Sequence, residues 1–246
     1  MLILRKTMAL VAILISLCAP TPVIHVRNHS KQDICYKVEY SNGTDTFPST
    51  AVCAQAKGAK VGGFWLRSGQ TKVVNATGLD GQRFNGAITA VLKNNTRQGA
   101  RNEINFLNAT HTFYDISYQY GISDATCGPA NGGEISGERH SLSKANAAWK
   151  HLNQTTKQDL LAFPQYLNQS ANGSLTDINM SVDAWPTKAP EVVYFFQVTA
   201  GFKGYMGPGS VENVTYPPNS IQNISIPDAD KQTLKTSSRE MVITSY

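Results

Sequence analysis

Between residues 23 and 118, short β-type runs alternate with Asn-rich turns, and this punctuation restricts the chain to an antiparallel fold. Ile34, Tyr36, Val38 and Tyr40 alternate with Cys35, Lys37 and Glu39. That period of two turns one face of a strand to a core and the other to water. Further runs occupy residues 23–27, 71–76, 87–92, 103–107 and 113–118. Turn formers separate them at Ser41-Asn42-Gly43, Ala76-Thr77-Gly78, Lys93-Asn94-Asn95 and Leu107-Asn108-Ala109. The expectation is a mainly β protein, an antiparallel β-sandwich or meander. With 246 residues the chain can bury a core that needs no covalent staples.

The first residues read as a secretory leader. Arg5 and Lys6 form a positive start, and an apolar run over 8–17 is broken only by Ser16. Ser16 and Cys18 are small enough for the cleavage positions, and Pro20 and Pro22 end the run. A signal peptide over 1–18 is expected, followed by a single domain over 19–246. No stretch of ~18 apolar residues offers a membrane-spanning helix.

Glycosylation signals agree with export. Asn-X-Ser/Thr occurs at Asn28, Asn42, Asn75, Asn94, Asn108, Asn153, Asn168, Asn172, Asn179, Asn213 and Asn223, where composition alone predicts about three. Four of them (Asn42, Asn75, Asn94 and Asn108) sit at or beside the turns already named, where a glycan can project without opening a sheet. Charged residues make up 16% of the chain, against about 25% in an average soluble domain. The formal charge is +5, part of it from Arg5 and Lys6, and no Lys/Arg run exists. A nucleic-acid partner is therefore not expected. Removing Cys18 with the leader leaves Cys35, Cys53 and Cys127, enough for one internal bridge and one free thiol. Cys35–Cys53 closes the shortest loop, and Cys53–Cys127 is the alternative. No Cys/His cluster has metal-ligand spacing, so neither a metal nor a cofactor is expected.

The second half reads differently. A small helical insertion is expected over 141–167. Ala145, Ala148, Trp149 and Leu152 recur with helical spacing, and Thr156 with Asp159 resembles a capping box. Trp149 is the expected core anchor of this insertion. Residues 168–180 read as a polar loop, 192–198 as a strand buried on both faces, and 201–209 as a flexible loop. Ile221, Ile224 and Ile226, with residues 241–243, are candidates for closing strands.

The chain holds no His-Glu-X-X-His, no Gly-X-Ser-X-Gly, no phosphate loop and no dinucleotide fingerprint. Paired carboxylates are the one catalytic possibility. Glu103 and Asp115 lie on consecutive expected strands, so a hairpin brings them together. Two acids ~5–9 Å apart serve glycoside hydrolysis when one is protonated and the other ionised. Taken alone, two solvated strand carboxylates are the plainer reading.

In order along the chain, several segments resemble the thaumatin-like (osmotin-type) family. They are Val23-Ile24-His25-Val26-Arg27-Asn28 with Cys35-Tyr36, then Gly62-Gly63 with Leu66, Ser68 and Gly69, then Gly81-Gln82-Arg83-Phe84-Asn85-Gly86. The most specific match is Glu103-Ile104-Asn105-Phe106 followed by Phe113-Tyr114-Asp115-Ile116-Ser117 and Gly121. The resemblance covers roughly residues 23–130. The family's Cys-rich signature segment is absent, and Cys35 has no C-terminal partner, which fits a divergent, cysteine-poor member of the fungal secreted type.

The resemblance implies a β-sandwich with an acidic cleft that binds β-1,3-glucan. Arg83, Glu103 and Asp115 match the family's cleft positions. The next cleft acid falls on Tyr120, whose ring can stack on a sugar while Arg83 donates to hydroxyls. The expectation is thus a secreted, extracellular or cell-wall glycoprotein, a monomer, that binds a polysaccharide. Alternatives are a secreted effector or structural interaction protein without a sugar site, and a weak endo-β-1,3-glucanase. Whether the chain is an enzyme stays open, with binding the less demanding requirement.

Overall fold

The computed structural model describes residues 21–40, 61–76, 84–92, 97–180, 189–206 and 232–246. The leader, Cys53, Arg83, the sequons Asn42, Asn94, Asn213 and Asn223, and the candidate strand at 221–226 lie outside these residues.

Alternating burial builds the strands. In β1 (Val23–Asn28) Ile24, Val26 and Asn28 point inward, and His25 and Arg27 point outward. β2 (Ile34–Tyr40) alternates likewise, with Tyr36 and Val38 fully buried. The chain continues through β3 (Val61–Leu66), β4 (Thr71–Asn75), β5 (Asn85–Leu92), β6 (Arg97–Asn105) and β7 (Thr112–Ser117). After β8 (Ala125–Pro129) and β9 (Ser136–Glu138) come helices α1 (Ser141–Trp149) and α2 (Gln154–Leu161). Next are β10 (Leu167–Gln169), β11 (Leu175–Ile178), α3 (Pro190–Tyr194), and finally β12 (Leu234–Thr236) and β13 (Glu240–Ser245).

Two sheets form the sandwich. One has the order β4-β1-β13-β8-β9, the other β12-β7-β6-β5-β2-β3. Among the strands of the described residues every pairing is antiparallel except β1 with β13, which run parallel from Val23↔Glu240 to Asn28↔Ser245. Ile24, Val26, Met241 and Ile243 of the first sheet share a core with Ile88, Ile104, Tyr114 and Ile116 of the second. The mainly β sandwich expected from the sequence is the fold observed.

The helical insertion also forms, with Trp149 buried and edge-on to Phe195 at 5.8 Å. Three local readings are corrected. Residues 168–180 are not a loop, because β10 and β11 form a hairpin whose turn uses Gly173 at φ +85°. Their polar residues face outward, while Leu167, Leu175 and Ile178 are buried. Asn146 of α1 clasps Leu175 like a neighbouring strand, donating to its carbonyl at 2.9 Å and accepting its N–H at 2.8 Å.

Residues 192–198 are not a strand. Pro190 opens α3, and Phe195–Thr199 continues it as a π-helical turn. A short apolar run does not by itself separate a buried strand from a buried helix, and here Pro at the first helical turn decides. The cap of α2 is Asn153, whose side chain accepts from the Thr156 N–H at 2.8 Å, rather than the Thr156/Asp159 box.

Candidate functional site

One face of the six-stranded sheet turns to the core, and the other carries charge. On that outer face, strand register sets Lys37 opposite Thr89, Thr89 opposite Arg101, and Arg101 opposite Ser117. The adjacent row runs Glu39, Ala87, Glu103, Asp115. Because alternate strand residues share a face, both rows lie side by side. The expected hairpin therefore does bring Glu103 and Asp115 together, as directly opposed residues.

An ionic chain ties the rows. Lys37 Nζ lies 2.5 Å from Glu39 Oε1, and Arg101 Nη1 donates to Glu39 Oε2 at 2.8 Å. Arg101 Nε is 2.8 Å from Glu103 Oε1, an ionic contact without the alignment of a hydrogen bond. The Arg101 guanidinium also lies over the Tyr120 ring, 4.8 Å from its centroid. Tyr120 ends a 3-10 turn (Tyr118–Tyr120) directly after β7, which carries its ring to this end of the face.

Asp115 is the buried member, at 5% exposure. Thr233, just before β12, donates to its Oδ2 at 3.1 Å, while Oδ1 has no partner. Burial first, and the Glu103 carboxylate second, push its pKa up to about 7 against the opposing pull of Thr233 and Arg101. Tyr205 joins from the segment after the π-helical turn. It pairs with β7 beside Ser117, its N–H reaching the Ile116 carbonyl at 2.7 Å. Gly204 permits that approach, since a Cβ there would come within 2.6 Å of the Ile116 carbonyl. Burial, then Asp115, Glu103 and Tyr120, raise the Tyr205 phenol.

An open groove of about 280 Å³ has Glu103, Asp115, Arg101, Asn105 and Thr233 among its walls. Carboxylates, a guanidinium and hydroxyls around one opening match the donors and acceptors of a polyol. A larger cavity of about 480 Å³ opens beside His29, Lys31, Asp124 and Tyr246. There Asp124 is already engaged by the Ser141 N–H at 2.8 Å, and Arg139 covers the Tyr246 ring at 4.5 Å. It assembles no pair of acids.

Of the expected sugar-binding residues, Glu103 and Asp115 line the groove, Tyr120 lies behind the Arg101 guanidinium rather than in the groove wall, and Arg83 lies outside the described residues. The guanidinium found at the groove is Arg101, which occupies one face of the Tyr120 ring. Sequence reading missed Arg101, Tyr205 and Thr233. Period-two alternation back from Glu103 points to Arg101, but no local signal announces the other two.

Among the described sequons, Asn75, Asn153, Asn168 and Asn172 are exposed, and Asn108 and Asn179 are half-buried. Asn28 is a correction. It is fully buried, with Nδ2 donating to the carbonyls of Gln32 at 2.8 Å and Leu66 at 3.0 Å, so the folded chain has no room for a glycan there. Cys127 is a free, buried thiol, so the alternative pairing of Cys53 with Cys127 does not hold. Among the described residues no three His, Cys, Asp or Glu side chains cluster as metal ligands, and no helix is long and apolar enough to cross a membrane.

No family model and no curated protein matches the chain. Among solved structures, the protein elicitor MoHrip2 from Magnaporthe oryzae is similar over 46% of this chain and 74% of its own, at 14% identity and a TM-score of 0.32. A laminaripentaose-producing β-1,3-glucanase in complex with laminaritetraose is similar over 78% of this chain, at 10% identity and a TM-score of 0.37. The chain spans 56% of that glucanase. Both likenesses are too distant to transfer a residue's role or an activity.

Proposed function

We propose that this chain is a secreted, N-glycosylated protein of the thaumatin-like type that binds cell-wall polysaccharide of the β-1,3-glucan class. The observation that carries the reading is the opposition of Glu103 and Asp115 at an open groove that Arg101 also lines. Sugar hydroxyls both donate and accept, and the groove offers a carboxylate acceptor, hydroxyls and a guanidinium within one opening. The chain acts outside the cell, in the medium or the wall, as a monomer. The leader pattern and the excess of sequons support that location. Cys35–Cys53 is the proposed bridge.

The binding reading predicts retention on insoluble β-1,3-glucan that weakens in Asp115→Ala and Glu103→Ala. Equal passage of all three proteins through the glucan contradicts it and leaves the effector or interaction-protein alternative.

A second reading, a weak endo-β-1,3-glucanase, draws on the contrast between the two acids. Asp115 is buried with a raised pKa, and Glu103 is ion-paired and partly exposed. Acid/base catalysis needs two carboxyls in such different environments. Release of reducing ends from soluble glucan, abolished in Glu103→Gln, supports this reading, and no release above that control ends it.

A further inference from the structure

We propose that Arg101 is the positioning residue of the groove. By engaging Glu103 it holds that acid as the acceptor of the pair, while burial, against the pull of the Arg101 charge, leaves the pair's proton on Asp115, which then meets a ligand as a donor. The consequence for polysaccharide rests on the binding reading above, whereas the protonation order stands on the geometry of the free protein.

Cross-strand opposition is the first argument. Glu103 and Asp115 are direct partners, and side chains so placed stand about 5 Å apart at Cβ. Two negative charges at that spacing repel, so one acid of the pair keeps its proton more readily.

Asymmetry decides which. The Glu103 side chain is 38% exposed and touches the Arg101 guanidinium at 2.8 Å. Asp115 is 5% exposed, and only the Thr233 hydroxyl bonds it. Its Oδ1 faces no donor, and a buried carboxylate oxygen without a donor is costly. A proton on Asp115 removes the charge and turns an orphaned acceptor into a donor for the groove.

Charge balance points the same way. Lys37, Arg101 and Lys235 are cations of this face among the described residues: Lys37 serves Glu39, Arg101 serves Glu39 and Glu103, and Lys235 lies over the Phe113 ring at 5.8 Å. Among the described residues no cation forms an ion pair with Asp115. The other titratable groups around it are the Tyr205 phenol, Tyr120 behind Arg101, and the Cys127 thiol of β8 beneath. The phenol and the thiol are both pushed up in part by Asp115 itself, so neither supplies a positive charge. The rise of Asp115 to about 7 has burial as its largest cause, as this geometry requires.

Arg101 is held for the task. Its guanidinium is fixed by Glu39 on one side and by the Tyr120 ring below, so its place beside Glu103 does not depend on a ligand. Stacking of a guanidinium on an aromatic face adds to that anchoring.

The test is a carboxyl-carbon NMR titration of the full chain carrying labelled Asp and Glu, without ligand. The resonance that Asp115→Asn removes is expected to titrate with a midpoint near 7. Arg101→Gln is expected to raise that midpoint by roughly one pH unit, because a nearby positive charge is lost. Arg101→Lys, which keeps the charge, is expected to return it most of the way. The proposal is overturned if the near-neutral titration belongs to the resonance that Glu103→Gln removes, or if Arg101→Gln leaves the Asp115 midpoint in place. Adding a β-1,3-glucan oligosaccharide to the same samples reads binding separately. Unchanged spectra then count against the polysaccharide reading and leave the protonation order standing.

Discussion

Asp115 faces Glu103 across the β6–β7 pair, yet the two carboxyls occupy opposite environments: one is ion-paired to Arg101 and partly in water, the other is buried with a single hydroxyl partner. That contrast makes Asp115 the most consequential ionisable group of the groove, for stability as well as for binding.

Stability is expected to fall as pH rises through the range in which Asp115 loses its proton. Its pKa is about 7 in the folded chain against an ordinary value of 3.8. The folded state therefore holds a proton that the unfolded chain has released, and stability from this group is full below about 4 and lost by the time pH passes 7. The ceiling on the loss is roughly 4 kcal/mol. Urea midpoints measured from pH 4 to pH 8 are expected to decline more in the wild type than in Asp115→Asn. Equal slopes contradict the assignment.

Glycan mapping by mass spectrometry, on protein secreted from a glycosylating host, is expected to find Asn28 bare. Its side chain is spent on two carbonyls inside the sandwich. Asn153 is the contrasting case. Its exposed side chain caps α2 through Oδ1, and a glycan on Nδ2 leaves that oxygen free. Asn153→Asp should remove the glycan and keep the cap, whereas Asn153→Ala should lose both and cost about 1 kcal/mol. A glycan found at Asn28, or identical stability of the two Asn153 variants, counts against this placement.

Trp149→Ala is expected to destabilise the protein by about 3–5 kcal/mol in denaturant unfolding. The indole is buried, meets Phe195 edge-on, and donates at 3.1 Å to the Gly173 carbonyl, which Gln169 Nε2 also bonds, so its loss leaves a cavity and removes one hydrogen bond. A cost below about 1 kcal/mol means the insertion does not rest on this anchor.

Much of the sheet was readable in advance because burial on one face imposes a period of two. Ile34 to Tyr40 shows this, and so does the hairpin that joins Glu103 to Asp115. What misled was local ambiguity. Val192, Val193, Phe195 and Phe196 are apolar enough for a strand or a helix, and Pro190 a few residues earlier held the decisive signal. Leu175 and Ile178 were hidden among polar neighbours that face outward in the β10–β11 hairpin. Arg101 was within reach of the alternation that includes Glu103. Tyr205 and Thr233 were not, since each reaches Asp115 from about ninety or more residues away through sheet-edge pairing that no local pattern encodes.

The most direct test of the central claim is calorimetric titration of a soluble β-1,3-glucan oligosaccharide into the full chain at pH 5.5, beside Glu103→Gln and Asp115→Ala proteins of equal helicity and sheet content. Saturable binding by the wild type, weakened about tenfold or more in each variant, is the predicted result, since each removes a charged or proton-bearing partner worth ~1.5–3 kcal/mol. Wild type and variants that bind the oligosaccharide equally, or not at all, would contradict the account.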